Sequence, residues 1–262
     1  MKKNKYFKNI FTARFILFNL VNQDLKSRYR QSLLGIGWSL ATPLGLVTII
    51  GFVFSTVLGQ PIKEFIPFLF SGLMPWLFIV QSAEGGTGAF ISAEGYLKQT
   101  NTPMEIFPLR NTMGAMVQLC NSLIAFFLVY LFLAIEKFNY NMLLVPLSLI
   151  IFFMLGVALS NLSALVNTFY RDYGHIQSLF FQGLFYATPI MFPANLLKGK
   201  AFEWIYKYNP FYYMIEIIRN PLLGKGTPHL YYWFIAAGFA FVLYVISILL
   251  LNKVGRRIVY KL

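Results

Sequence analysis

Five stretches of this sequence carry no charged side chain: residues 31–62, 65–83, 111–135, 138–170 and 226–252. A helix crossing the hydrocarbon core of a bilayer needs roughly 20 consecutive apolar residues, so each stretch is about long enough to span. Only 12% of the 262 residues are charged and 58% are hydrophobic, whereas a soluble domain carries about 25% charged residues. The chain therefore folds in a membrane. That excludes a secreted or cytosolic enzyme, and a nucleic-acid-binding domain despite the net charge of +13. A disulfide scaffold is excluded as well, because Cys120 is the lone cysteine.

The first residues, MKKNKYFKNIFTARFILFNLV, have the basic start and short apolar run of a signal peptide. We reject that reading because Arg14 and Asn19 break the apolar part, no small-x-small cleavage site follows, and the basic LKSRYRQ comes next. Residues 1–33 instead predict an amphipathic helix lying at the membrane surface. Phe7, Ile10, Phe11 and Phe18 would share its buried side, with Lys8, Asn19, Lys26 and Arg30 towards the headgroups.

Six spans are expected over residues 34–252, centred near Ile49, Leu73, Leu123, Leu155, Leu184 and Val242, with residues 253–262 as a basic tail. The second holds Pro67 and Pro75 and ends in the glycine-rich AEGGTG, which predicts an irregular segment packed inside protein. The fifth, residues 176–197, holds Pro189 and Pro193 and should unwind at its outer end. Residues 198–228 form two short aromatic stretches separated by Asn209-Pro210 and stopped by Asn220-Pro221, neither long enough to span. Because a residue before proline is pushed out of the helical region, the expectation is a re-entrant helical hairpin between spans five and six. The fold class is an all-α membrane protein, a single domain over residues 1–262.

The basic residues set the orientation. Fifteen of the 22 fall in residues 1–33, the 91–112 and 169–178 loops, and the tail, against seven on the opposite side. By the positive-inside rule both termini are cytoplasmic, and an even number of spans agrees.

No catalytic or energy-coupling motif is present. The Gly-Lys pairs at 199–200 and 224–225 lack the upstream glycine and following Ser or Thr of a phosphate-cradling loop. His175 and His229 fall on opposite membrane faces without a ligand cluster, so no metal site is expected. Glu84 is the one carboxylate expected at membrane depth, either snorkelling to the surface or lining a polar pathway. A transferase holding a prenyl diphosphate through a divalent ion would want several Asp, and the chain has two, Asp24 and Asp172.

Six segments in order then carry a resemblance. SLLGIGWSLATPLG (32–45), SGLMPWLF (71–78), LKQTNTPMEIFPLR (97–110), FYRDYGHI (169–176), FYATPIMFP (185–193) and YNPFYYMIEIIRNPLL (208–223) together resemble the permease subunit of type-2 ABC exporters of polysaccharides. That group moves O-antigen, teichoic acid and some capsular chains. One departure is Pro103-Met104-Glu105, where family members often read Pro-Arg-Glu.

The resemblance implies an inner-membrane homodimer with two copies of a separate ABC ATPase, which would bind the ATP and Mg; this chain would need no cofactor. Its substrate would be an undecaprenyl-diphosphate-linked glycan, O-antigen foremost, with membrane lipids around it and no nucleic acid. The amphipathic helix, Thr102, Pro103, Glu105 and Pro108, and the Arg171-Asp172 turn would rest on the ATPase. Tyr206, Tyr208, Asn209, Pro210, Phe211, Tyr212 and Tyr213 would form an outer gate, with Glu84, Trp38 and Trp76 along the substrate path. The two tryptophans also fit the plainer role of interfacial anchors. Sugar rings pack C–H faces on aromatic rings and hydrogen-bond phenols, and Lys26, Arg28 and Arg30 would meet an anionic headgroup at a cytoplasmic entrance. The alternatives are an exporter of drugs or lipids with the same architecture and a membrane enzyme acting on polyprenyl-linked sugars.

Overall fold

The computed structural model describes residues 5–28, 32, 34–133, 136, 138–200, 203–258 and 261. Among these the chain is helical throughout, with no strand. An amino-terminal arm of two helices, α1 (Lys5–Thr12) and α2 (Arg14–Arg28), precedes the bundle. The bundle comprises α3 (Trp38–Val57), α4 (Ile62–Thr87), the short α5 (Glu94–Gln99), α6 (Ile106–Leu133) and α7 (Val145–Phe169). It continues with α8 (Tyr173–Ala187), α9 (Glu203–Lys207), α10 (Pro210–Leu222) and α11 (Leu230–Ile258).

Five helical segments are long and apolar enough to cross a membrane: Trp38–Val57, Ile62–Thr87, Ile106–Leu133, Tyr140–Phe169 and Leu230–Gly255. The segment expected as a fifth span behaves differently. α8 has 15 residues, and Thr188, held extended by the following Pro189, ends it at Ala187. The predicted unwinding is therefore real, and it starts well before Leu197.

α4 is the hub, packing against α3, α6, α7, α8 and α10, and every residue from Phe65 to Trp76 is buried. Sequence predicted an irregular second span; instead α4 is one continuous helix through Pro67 and Pro75. Neighbours on all sides hold it, and its glycines serve close approach rather than unwinding. A Cβ on Gly86 would come within 2.5 Å of the Ser160 carbonyl oxygen of α7.

The arm is two helices, and of the residues expected on its membrane side Ile10 packs against protein. Phe7, Phe11 and Phe18 are exposed, and the side packed on protein is Tyr6, Ala13, Leu17, Leu20 and Val21. These join Phe90, Leu97, Ile106, Phe107, Leu165 and Leu251 in a core at one end of the bundle. The arm thus has two apolar sides, one on protein and one facing outward. Arg30 lies outside the described residues, as does Phe202 at the start of the expected hairpin.

α10 begins where Asn209 accepts a hydrogen bond from the Phe211 amide at 3.0 Å, with Pro210 in the first turn. Asn220-Pro221 was expected to stop it, and the helix ends at Leu222, one residue past the proline. Pro221 lacks the N–H that would reach the Ile217 carbonyl. The Ser148 hydroxyl of α7 donates to that carbonyl at 2.8 Å and fills the vacancy.

Candidate functional site

Sequence singled out residues that the fold distributes over three places. At the end of the bundle carrying α9 and α10, tyrosines gather from two segments. Tyr212 is their centre, with ring centroids 5.1 Å from Tyr206, 5.2 Å from Tyr213 and 6.1 Å from Tyr232. Tyr231 and Tyr232 lie 4.6 Å apart, and His229 stacks on Tyr231 at 5.7 Å. Sequence missed this half of the cluster, although His229 and the adjacent tyrosines open the last apolar run. Tyr206 and Tyr212 are buried, and the Tyr213 hydroxyl donates to the Lys207 carbonyl at 2.7 Å. Tyr208 stands exposed over an apolar groove of about 820 Å³ that Trp204, Phe180 and Phe211 also line.

Trp76 and Phe211 do meet. Their ring centroids are 6.0 Å apart, and Phe181, Phe185 and Phe239 close the cluster. Trp76 is therefore a core ring in the middle of α4 and not an interfacial anchor, whereas Trp38 is exposed at the first turn of α3.

Beneath the tyrosines sits a residue sequence had placed in an outer loop. Arg219 is completely buried. Its guanidinium donates to the carbonyls of Pro189 (2.9 Å) and Ile190 (2.8 Å) and pairs with Glu216 at 3.0 Å, 4.4 Å over the Phe68 ring. Gly72 makes the room, since a Cβ there would overlap the guanidinium. The Asn209 amide adds a bond to the Thr188 hydroxyl at 2.8 Å. α10 thereby fixes the unwound end of α8. An arginine three residues after a glutamate in otherwise apolar YYMIEIIRN was the signal for such a buried pair.

At the opposite end α2, α4 and α6 enclose a polar groove of about 750 Å³. Glu84, Asn111, Gln118, Asp24, Arg28 and Arg110 line it. Arg110 grips the Asp24 carboxylate through two N–H groups, and Arg28 donates to the Gln118 amide oxygen at 2.6 Å. Lys26 is exposed on the same helix. Glu84 thus lines this groove and does not share a site with the tyrosines.

The expected coupling residues separate into two groups. Thr102 (hydroxyl 2.7 Å from that of Thr100), Arg171 and Asp172 are accessible, the last two exposed in the turn before α8. Pro103 is half-buried. Glu105 and Pro108 are buried, which removes them from any docking surface. Glu105 points inward to α1, accepting from the Asn9 amide at 2.8 Å, and the Pro108 carbonyl accepts from the Ser160 hydroxyl at 2.9 Å. A Cβ on Gly255 would stand 2.9 Å from the Met104 methyl, so Met104 packs directly on α11. Tyr6 completes the arm's attachment: its hydroxyl accepts from Asn161, which also reaches Ser247, and burial pushes the phenol's pKa up.

No three His, Cys, Asp or Glu side chains converge as metal ligands among the described residues. A helical bundle with long apolar spans, a docked arm and polar and aromatic recesses at opposite ends defines a polytopic membrane protein. The chain belongs to the ABC-2 type transporter family, which matches residues 17–223 and so spans all six resembling segments. It is 32% identical over 245 residues to an O-antigen export system permease protein RfbA of Klebsiella pneumoniae, covering 92% of this chain and 93% of that protein. A second RfbA permease of that organism is 32% identical over 246 residues, again 92% and 93% of the two chains. The RfbA permease of Myxococcus xanthus is 28% identical over 196 residues, 74% of each chain.

Proposed function

We propose that this chain is the transmembrane subunit of an ATP-driven exporter that carries a lipid-linked polysaccharide of the O-antigen type across the inner membrane. The observation that carries this reading is the end-to-end similarity to O-antigen export permeases, which covers 92% of the chain. In this reading two copies of the chain assemble with two ABC ATPase subunits, which hold ATP and Mg. α8 with residues 188–197 serves as a short fifth of six spans, both termini are cytoplasmic, and the exposed phenylalanines of the arm lie in the lipid interface. α9 and α10 form the re-entrant hairpin at the outer end.

The division of chemistry between the two ends supports the assignment. A lipid diphosphate needs cations where it enters, and Lys26, Arg28 and Arg110 occupy the basic end. A glycan leaving the membrane needs ring faces and hydroxyls, which the tyrosine cluster at the other end supplies. Thr102, Pro103, Arg171 and Asp172 dock the ATPase, and Glu105 passes the motion of that loop to α1 through Asn9.

The experiment is deletion of the gene with complementation, read as surface glycan, alongside co-purification with the tagged chain. Loss of surface glycan restored by the gene, with a phosphate-loop ATPase in the pull-down, is the expected result. Normal surface glycan in the deletion strain, or accumulation of a small lipid or drug instead of a glycan intermediate, defeats the reading.

A further inference from the structure

α8 is gripped at both ends by other helices and held only loosely between. Of its 15 residues only Gln177 and Phe181 are buried, and it packs on α4 and α7. At its start Asp172 stands in the capping position, yet its side chain makes no cap. Asn167, in the last turn of α7, supplies one instead: its side-chain oxygen accepts from the Gly174 amide at 3.1 Å. The same side chain donates to the Thr87 carbonyl at the end of α4, at 2.9 Å. One asparagine thus joins three helix ends beside the exposed Arg171 and Asp172. At the other end a second asparagine repeats the arrangement. Asn209 accepts from the Phe211 amide through Oδ1 and donates through Nδ2 to the Thr188 hydroxyl at 2.8 Å. That hydroxyl donates in turn to the Leu184 carbonyl in the last turn of α8, also at 2.8 Å. Thr188 and Asn209 are both buried. Asn209 follows Tyr208 and precedes Tyr212, so the residue that starts α10 also carries the tyrosine cluster.

We propose that Thr188 and Asn209 are positioning residues for export: their bond makes the outer tyrosines follow α8 when the Arg171-Asp172 turn is displaced. The inference rests on the export reading above and names a joint through which the two ends of the chain communicate. A helix with few buried side chains shifts as a rigid body at small cost, because little packing opposes it. What the shift achieves depends on what the helix ends grip. Asn167 holds the start of α8 on α4 and α7, so a push on the adjacent turn tilts α8 about this point and displaces its outer end. Arg219 receives that displacement through the Pro189 and Ile190 carbonyls, at the far end of α10. The Thr188 hydroxyl delivers it to the end of α10 that bears Tyr208 and Tyr212. Without this bond the tyrosine cluster keeps both of its positions and loses the bias that ties them to α8.

The test uses the complete complex co-purified with the tagged chain, reconstituted in liposomes with lipid-linked glycan extracted from the deletion strain. After ATP is added outside, glycan shielded from external periodate and phosphate released are measured together. Thr188→Val keeps the shape and removes the hydroxyl. It should lower the glycan moved per ATP about fivefold, the scale of one hydrogen bond biasing a two-state gate, with the rate of hydrolysis unchanged. Thr188→Ser keeps the hydroxyl and should hold the wild-type ratio. Asn209→Ser still caps α10 and is too short to reach Thr188, so adding it to Thr188→Val should lower the ratio no further. An unchanged ratio in Thr188→Val overturns the proposal even where the protein melts earlier, because a bond that only fastens α8 alters stability and not the yield per ATP. Additive losses in the double variant, or a Thr188→Ser ratio as low as that of the valine variant, overturn it too. Where Thr188→Val does not assemble, Asn209→Ser is read by the same ratio and decides alone. Wild-type liposomes that move no glycan on ATP sink the export reading and this joint with it, whereas wild-type transport with an unchanged variant ratio rejects the joint and leaves the exporter standing.

Discussion

The Ser148 hydroxyl occupies the position that Pro221 vacates, donating at 2.8 Å to the Ile217 carbonyl four residues before the proline. α10 ends at Leu222, one residue past the proline. Removing the hydroxyl leaves a buried carbonyl without a donor. Ser148→Ala should therefore cost about 1 kcal/mol of stability. In the Pro221→Ala background the backbone N–H returns and the same change should cost almost nothing. Thermal unfolding of the four proteins in detergent measures the cycle, and equal cost in both backgrounds refutes the substitution of hydroxyl for amide.

Gly72 should prove intolerant of the smallest enlargement. Gly72→Ala drives a methyl group into the Arg219 guanidinium, and a displaced buried arginine leaves Glu216 and two carbonyls unpaired. Breaking such a buried pair costs about 3–5 kcal/mol, enough to collapse folded yield. Gly88→Ala, with nothing within 4 Å of its Cβ site, is the matched control. Fluorescence-detected gel filtration compares the two, and wild-type yield for Gly72→Ala would contradict the clamp.

The tyrosines test the outer gate. Tyr212→Phe with Tyr213→Phe keeps the rings and removes two hydroxyls, one of which holds the Lys207 carbonyl. Surface glycan should fall mildly, by the worth of hydrogen bonds of about 1 kcal/mol each. The double alanine variant also removes the ring faces and should nearly abolish export while the assembled complex persists. Full export by the alanine pair would show that the cluster only packs.

Arg171 is exposed in the three-residue link between α7 and α8 and makes no ion pair among the described residues. In the coupling role, Arg171→Ala should lower both export and the ATPase rate of the complex without changing membrane insertion. Normal coupled hydrolysis would return Arg171 to an ordinary solvated charge.

The purified chain by itself should hydrolyse no ATP above background, because it carries no phosphate-cradling loop. Hydrolysis that survives removal of every contaminating ATPase would place the energy source in this chain.

What the residues disclosed in advance follows from how local each signal is. The five long apolar helices and the break at Asn209-Pro210 are written in consecutive residues and were legible. The end of α8 was legible for the same reason, through Pro189. The arm's phenylalanine stripe was legible; its second apolar side was not, because Tyr6, Ala13, Leu17 and Val21 look unremarkable until α6 and α11 lie beside them. The pairs that fasten the arm to the start of α6, Asp24 with Arg110 and Asn9 with Glu105, join residues 86 and 96 positions apart. No periodicity announces a contact of that range. Pro221 does end α10 within a residue, as its local rule says, but the serine that serves the carbonyl it leaves open lies 69 positions before Ile217 and was not legible.

The brevity of α8 has an electrical consequence. Fifteen helical residues measure about 22 Å, against a hydrocarbon layer of about 30 Å. Beyond it the chain turns, with the Pro189 and Ile190 carbonyls accepting from Arg219 and the Thr188 hydroxyl accepting from Asn209. In the proposed topology the carbonyls past Ala187 that Arg219 holds lie at membrane depth, so a polar chain passing beside α8 would meet fixed dipoles there and not bare hydrocarbon.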